Sequence, residues 1–156
     1  MFKLSKRSNG NLEGVHPDLV RVVRRAIELT DTDFGVYEGV RDIETQKQYV
    51  ASGASQTMKS KHLIQKDGFS HAVDMMAYIG SRGSWEITLY DNLADAMKEA
   101  ACELGVSIKW GACWHINDLT NFEGTMQQAT NEYIDLRRSQ GRRPFIDGPH
   151  FELSNY

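Results

Sequence analysis

Apolar residues along this chain follow two periodicities, and these predict its elements. Leu19, Val22, Val23, Ala26 and Ile27 recur at three- and four-residue steps, with Arg21, Arg24, Arg25 and Glu28 on the other face. That spacing predicts an amphipathic helix over 17–30. Pro17 falls in its first turn, where a missing N–H is harmless, and His16 leads into it. Leu89, Leu93, Ala96, Met97, Ala100, Ala101 and Leu104 form a longer stripe that Gly105 ends. Met126, Ala129, Tyr133 and Leu136 form another, ended by Gly141. A short helix over 42–53 has Asp42 as its cap and Gly53 as its stop. β-Branched and aromatic runs predict strands over 33–41, 71–79 and 106–111, and around 150–153. Alternation in the 71–79 strand puts His71, Val73 and Met75 on one face and Ala72, Asp74 and Met76 on the other. The remainder reads as polar connections, including 1–10 with its Asn9-Gly10 turn signal and the glycine-bearing 80–85.

These elements make one α+β domain over 1–156, with a small, mostly antiparallel sheet packed with helices. A chain of 156 residues is long enough for one real core. The net charge of −3 argues against nucleic acid as a partner, since such proteins show a basic face. Arg137, Arg138, Arg142 and Arg143 are a local cluster that reads as a solvated helix end and loop. The two cysteines are too few for a disulfide framework or a four-cysteine metal site. Cys102 falls in the helical stripe and reads as a buried small hydrophobe. Cys113 lies in a tryptophan-rich loop, which leaves a pairing with Cys102 open. Residues 1–10 hold no apolar stretch of the secretory kind, and no run suits a membrane span. The expectation is a protein made in a cytoplasm, with no signal peptide and no membrane anchor.

The chemistry concentrates in two places. "SKHLIQKDGFSHAVD" over 60–74 holds His62, His71 and Asp74, and "DGPHFEL" over 147–153 holds Asp147 and His150. An ionised Asp74 in an apolar strand is costly unless paired or metal-bound. Hydrolytic zinc sites use three protein ligands and keep the fourth position for water. The candidates are His62, His71, Asp74, His115 and His150. On residue types alone the signal is weak, because each histidine reads equally well as a surface or satisfied core residue.

The combination is more specific. "SKHL…HAVDMM", with "GVRDIETQKQYVASG" before it and "IKWGACW…DGPHFEL" after it, resembles the zinc peptidase family of D-Ala-D-Ala carboxypeptidases, dipeptidases and phage L-alanyl-D-glutamate endolysins. The family pattern is Ser-x-His, a short gap, Gly-x-Ala-x-Asp, and much later Glu/Asp-x-x-His. Ser60, His62, Ala72, Asp74, Asp147 and His150 match it in order, and the resemblance covers about 34–153. "WG…W" and "PHFEL" look most like the phage endolysin branch. Two departures stand out: the His62–Asp74 gap is longer than the family's, and Ser70 stands at the family's glycine position. Gly68 is the candidate to take over the tight turn.

The resemblance implies a hedgehog/DD-peptidase-like fold and a Zn2+ ion held by His62, Asp74 and His150. It implies Asp147 as general acid/base, with Glu152 as the rival, and Arg41 as the group that stabilises the oxyanion or binds a substrate carboxylate. Ser60 would bind near the substrate or His62, and Trp110 and Trp114 would wall the cleft. His71 points away from Asp74 by strand parity and is set aside as a ligand. The implied reaction is hydrolysis of the L-Ala–D-Glu bond of the peptidoglycan stem peptide by a metal-activated water. The implied setting is a monomeric endolysin that is released from the host cytoplasm to the cell wall and causes lysis. D-Ala-D-Ala carboxypeptidase or dipeptidase action is the alternative, and a zinc-containing wall-binding module without hydrolysis is a second.

Overall fold

The structure is a computed structural model that describes Met1–Tyr156. Its order is α1 (Lys6–Asn11), α2 (Pro17–Leu29), β1 (Asp33–Glu38), α3 (Ile43–Ser52), β2 (Ala72–Ile79), β3 (Arg82–Ser84), α4 (Ile87–Leu104), β4 (Ile108–Gly111), α5 (Met126–Ser139) and β5 (Asp147–Leu153), with a 3-10 turn at Leu119–Asn121. The sheet runs β1-β2-β5-β4, every pairing is antiparallel, and β3 pairs the far end of β2. This is the expected α+β architecture.

The helices form where the apolar periodicity put them. α2 buries Leu19, Val22, Val23, Ala26 and Ile27. It packs along α4, which buries Leu93, Ala94, Met97, Ala100 and Ala101. α5 starts in a full capping box: Thr125 takes the Gln128 backbone N–H, and the Gln128 side chain takes the Thr125 N–H. Asp42 caps α3 by accepting the Thr45 N–H. One core of 30 buried residues joins these helices to the inner face of the sheet.

Four local expectations are corrected. Residues 6–11 form α1 in spite of Asn9-Gly10, because Ser5 accepts the Ser8 N–H as cap and Ser8 Oγ in turn accepts the Val36 N–H at 3.0 Å. The 80–85 loop contains β3, which three ladder partners on β2 hold in place. Cys102 is exposed, and it and the buried Cys113 are both free. The first strand also ends at Glu38, three residues early, which leaves Arg41 beyond its end.

The centre of the sheet sets the site. β2 and β5 are neighbours, and their register places Asp74 directly opposite His150. β5 is also irregular against β4. Trp110 pairs with Phe151, yet the next residue, Gly111, pairs with Asp147. Gly148, Pro149 and His150 therefore bulge from the ladder, a position that tolerates proline. Gly111 makes this possible, since a Cβ there would overlap the Asp147 carbonyl oxygen. Gly148 and Pro149 thus lie in a bulge within β5, which begins at Asp147, three residues earlier than the expected strand around 150–153.

Candidate metal centre and cleft

Three elements bring three ligand atoms together. Asp74 comes from β2, His150 from β5, and His62 from the connection between α3 and β2. All three are buried, and their ligand atoms lie within 4.8 Å of one another. Cross-strand pairing alone accounts for two of them. The backbone fixes the third: the His62 N–H donates to Ser60 Oγ at 3.1 Å, and its carbonyl accepts the Arg41 N–H at 2.9 Å.

Neighbouring acceptors set the His62 tautomer and hold both nitrogens of His150. His62 Nδ1 lies 2.8 Å from the Gly39 carbonyl oxygen, which can only accept, so Nδ1 carries the proton and Nε2 presents its lone pair. His62 Nε2 stands 3.1 Å from Asp74 Oδ2 but makes no hydrogen bond there or elsewhere. His150 Nε2 lies 2.9 Å from Glu152 Oε1, and its Nδ1 lies 3.2 Å from Asp74 Oδ1. A proton donated from Nε2 to Glu152 leaves the Nδ1 lone pair facing Asp74. Two lone pairs and a carboxylate then converge with no donor among them.

Such a cluster fits a cation. Tetrahedral coordination at about 2.1 Å puts ligand atoms about 3.4 Å apart, close to the 3.1 and 3.2 Å seen here. With no cation, a proton takes its place. Burial works against a charged His150, but Asp74 and Glu152 outweigh it and push its pKa up to about 10. Burial likewise opposes ionisation of Asp74, yet His150 and His62 hold its pKa well below the usual carboxylate range. His62, Asp74 and His150 could thus hold a metal ion, with Gly39 and Glu152 orienting the two rings behind them.

The cluster opens into a cleft of about 980 Å³. Asp147 lines it, and burial and then the charge of Asp74 push its pKa up, while His150, His62 and Arg41 pull the other way. A carboxylate that feels all four groups belongs to the same site. Arg41 also lines the cleft but is heavily engaged. It pairs with Glu38, donates from Nη1 to Gln46 Oε1 at 2.7 Å, lies over the Tyr49 ring at 4.5 Å, and stands 3.6 Å from Asp74 Oδ2. Ser60 bridges Arg41 and the His62 backbone. Trp114 forms a wall 5.5 Å from His150 by ring centroids.

Trp110 does not line the cleft. It is fully buried, stacks on Phe151 and donates from Nε1 to the Gly148 carbonyl at 2.7 Å, so it supports the β5 bulge from behind. His71 is held away from the ligands, with Nε2 2.7 Å from Asp67 and its ring edge-on to His16 and Tyr156. That cluster anchors the long His62–Asp74 connection, in which Gly68 takes a φ of +87° in a turn closed by its N–H to the Gln65 carbonyl. His115 pairs with Glu132 outside the cleft.

Sequence reasoning missed four groups of the site, of which Tyr37, Glu38 and Tyr49 line the cleft and the buried Gln46 lies behind it. Glu38, Gln46, Tyr37 and Tyr49 had no signal beyond lying near Arg41, and only folding brings Gln46 of α3 onto its guanidinium. Burial first, then Asp74 and Asp147, raise the Tyr37 pKa, so its phenol stays protonated in the cleft. The arginine cluster is corrected in part: Arg137, Arg142 and Arg143 line the cleft and are not merely solvated.

Comparison with known proteins gives consistent findings. Residues 1–154 match the model of a family described as phage L-alanyl-D-glutamate peptidase. The chain is 31% identical over 156 residues to the L-alanyl-D-glutamate peptidase of Escherichia phage T5, covering 97% of this chain and 98% of that one. The crystal structure of the Serratia marcescens L-Ala D-Glu endopeptidase ChiX matches it with a TM-score of 0.70 and 34% identity, over 97% of this chain and 90% of that one.

Proposed function

The chain belongs to the phage L-alanyl-D-glutamate peptidase family, and from that premise we propose that His62, Asp74 and His150 hold a zinc ion at which the peptidoglycan stem is cut. It is a peptidoglycan peptidase of the endolysin type, and its reaction is hydrolysis of the amide between L-Ala and D-Glu. Two imidazole nitrogens and a carboxylate beside an open cleft are the donor set of a catalytic zinc site. A zinc ion so held supplies Lewis acidity, which polarises the scissile carbonyl and makes water nucleophilic near neutral pH.

The protein's own groups do the rest. Asp147 accepts the proton of the attacking water and returns it to the leaving amine. Its raised pKa brings its two protonation states nearer in energy at working pH, as this double duty requires. Glu152 is tied to His150 and is better placed to orient that ring than to carry protons. Arg41, held flat by Glu38, Gln46 and Tyr49, offers a fixed positive charge toward the carbonyl oxygen as negative charge develops there. Ser60 fixes Arg41 relative to His62, and Trp114 shields one side of the site from water. The reading carries with it one monomeric domain, made in the host cytoplasm and acting on the wall after release. No helix is long and apolar enough to cross a membrane.

The observation that carries this reading is the buried, unpartnered His62 Nε2 facing Asp74. The test is mass spectrometry of purified peptidoglycan after digestion. The expected products are stem fragments with a new D-Glu amino terminus, lost when a chelator strips the protein and restored by zinc. Release of D-Ala alone would favour carboxypeptidase action instead. Undiminished digestion by protein shown to be metal-free would overturn the zinc reading.

A further inference from the structure

The cleft holds more positive charge than the chemistry above uses. Lys59, Lys61, Arg137, Arg142 and Arg143 all line the cavity that contains the three ligands. None of them has a carboxylate within ion-pair distance; the ion pairs go to other cations. The chain as a whole is acidic, with a net charge of −3, so this gathering does not follow from bulk composition. Arg41, the cation nearest the ligands, is already committed to Glu38 and to the developing oxyanion. An incoming anion would therefore have to find its partner further out.

Arg142 and Arg143 are the best placed. They stand on the short connection between α5 and β5, and that connection is held firmly. The Tyr133 hydroxyl donates to the Phe145 carbonyl and accepts the Phe145 N–H, both at 3.2 Å. The Phe145 ring stacks on Trp114 with centroids 6.3 Å apart, and Trp114 in turn lies against His150. The connection is thus a wall built in fixed relation to a metal ligand, and it runs straight into Asp147. A leaving amine that takes its proton from Asp147 departs on this side.

The chemistry of the leaving half is acidic. In an L-alanyl-D-glutamyl amide the amine belongs to glutamate. One of its two carboxyls is bonded to the next residue, and the other is free and ionised at neutral pH. We propose that Arg142 and Arg143 form an anion subsite for the free carboxylate of the leaving-amine half of the stem peptide, and so select acidic over amidated stems. The inference rests on the endopeptidase reading. Guanidinium forks suit carboxylates. At an open rim their effect falls on binding and weakens with salt.

The test compares two stem peptides, one with the free D-Glu carboxylate and one with that group as a carboxamide. The wild-type protein should prefer the acid, and the preference should narrow as salt rises. R142Q/R143Q should raise KM for the acid about tenfold, the loss of one charge-assisted hydrogen bond, with kcat little changed. It should treat the carboxamide as the wild type does. R142K/R143K, which keeps the charge, should recover part of the loss. Arg138→Gln, from the same cluster but outside the cleft, should change neither substrate. No preference for the acid in the wild type, or an equal loss on both substrates in R142Q/R143Q, would overturn the subsite. Failure of the wild type to cut either peptide would overturn the endopeptidase reading, and the subsite with it.

Discussion

Single residues divide here into those whose type reveals them and those that only folding places. Asp147 is of the first kind. Its position three residues before His150 suggests a proton carrier, and in the structure it lines the same cleft as the ligand cluster, with a raised pKa. Asp147→Asn should lower kcat by about 10²–10⁴-fold, the usual worth of a positioned acid/base group, while metal content by elemental analysis stays stoichiometric. Near-normal turnover in that variant would move the proton-carrying role to Glu152. His62, Asp74 and His150 were legible because few residue types ligate metal, and the structure brings these three together. Strand parity was enough to set His71 aside. Trp110 was misread because an aromatic beside a candidate motif looks the same from either face of β4. Glu38 was invisible because nothing in a sequence announces which carboxylate will meet a given arginine.

Elements were legible where periodicity was long. α2, α4 and α5 appear within a residue or two of their expected bounds, since each buries one continuous stripe. The short elements escaped, because α1 depends on one serine cap and β3 exists only through β2. α4 also hides a residue that its stripe did not predict. Asp91 lies off the apolar face, yet it is buried with Oδ1 unpartnered, because α4 is covered by α2, α5 and strands at once. Burial, and then Asp95 one turn on, push its pKa up from 3.8 to about 6. The unfolded chain therefore loses this proton first as pH rises. Stability attached to the group falls between about pH 4 and 6 and does not return above it. Asp91→Asn should raise the Tm at pH 7.5 and lose that advantage below about pH 4, as scanning calorimetry would show. An unchanged gap across that range would show that Asp91 ionises freely in the fold.

For the whole molecule, the proposed metal would compete with a proton for one centre. Without metal, His150 is protonated with a pKa near 10, above its ordinary 6.5. The stability this proton gives is complete below about pH 6.5 and is lost as pH rises toward 10. A bound metal needs unprotonated ligands and binds only the folded chain, so it should stabilise increasingly over the same range. Tm measured with and without chelator should therefore diverge from pH 6.5 upward, and parallel curves would contradict the shared centre. At this scale the sequence showed the parts but not their assembly. The β2–β5 pairing that sets Asp74 against His150, and the basic rim drawn from connections on both sides, are products of topology.

The tautomer of His62 has a wider consequence. Its Nδ1 is satisfied by a backbone carbonyl, and its Nε2 is left buried and bare before a carboxylate. In landscape language this is local frustration: a contact at the centre of the site works against its neighbours. A sequence chosen only to make the empty fold as deep a minimum as it could be would place an apolar chain or a donor at position 62. It would erase the conflict, and with it the place where an ion gains most by arriving.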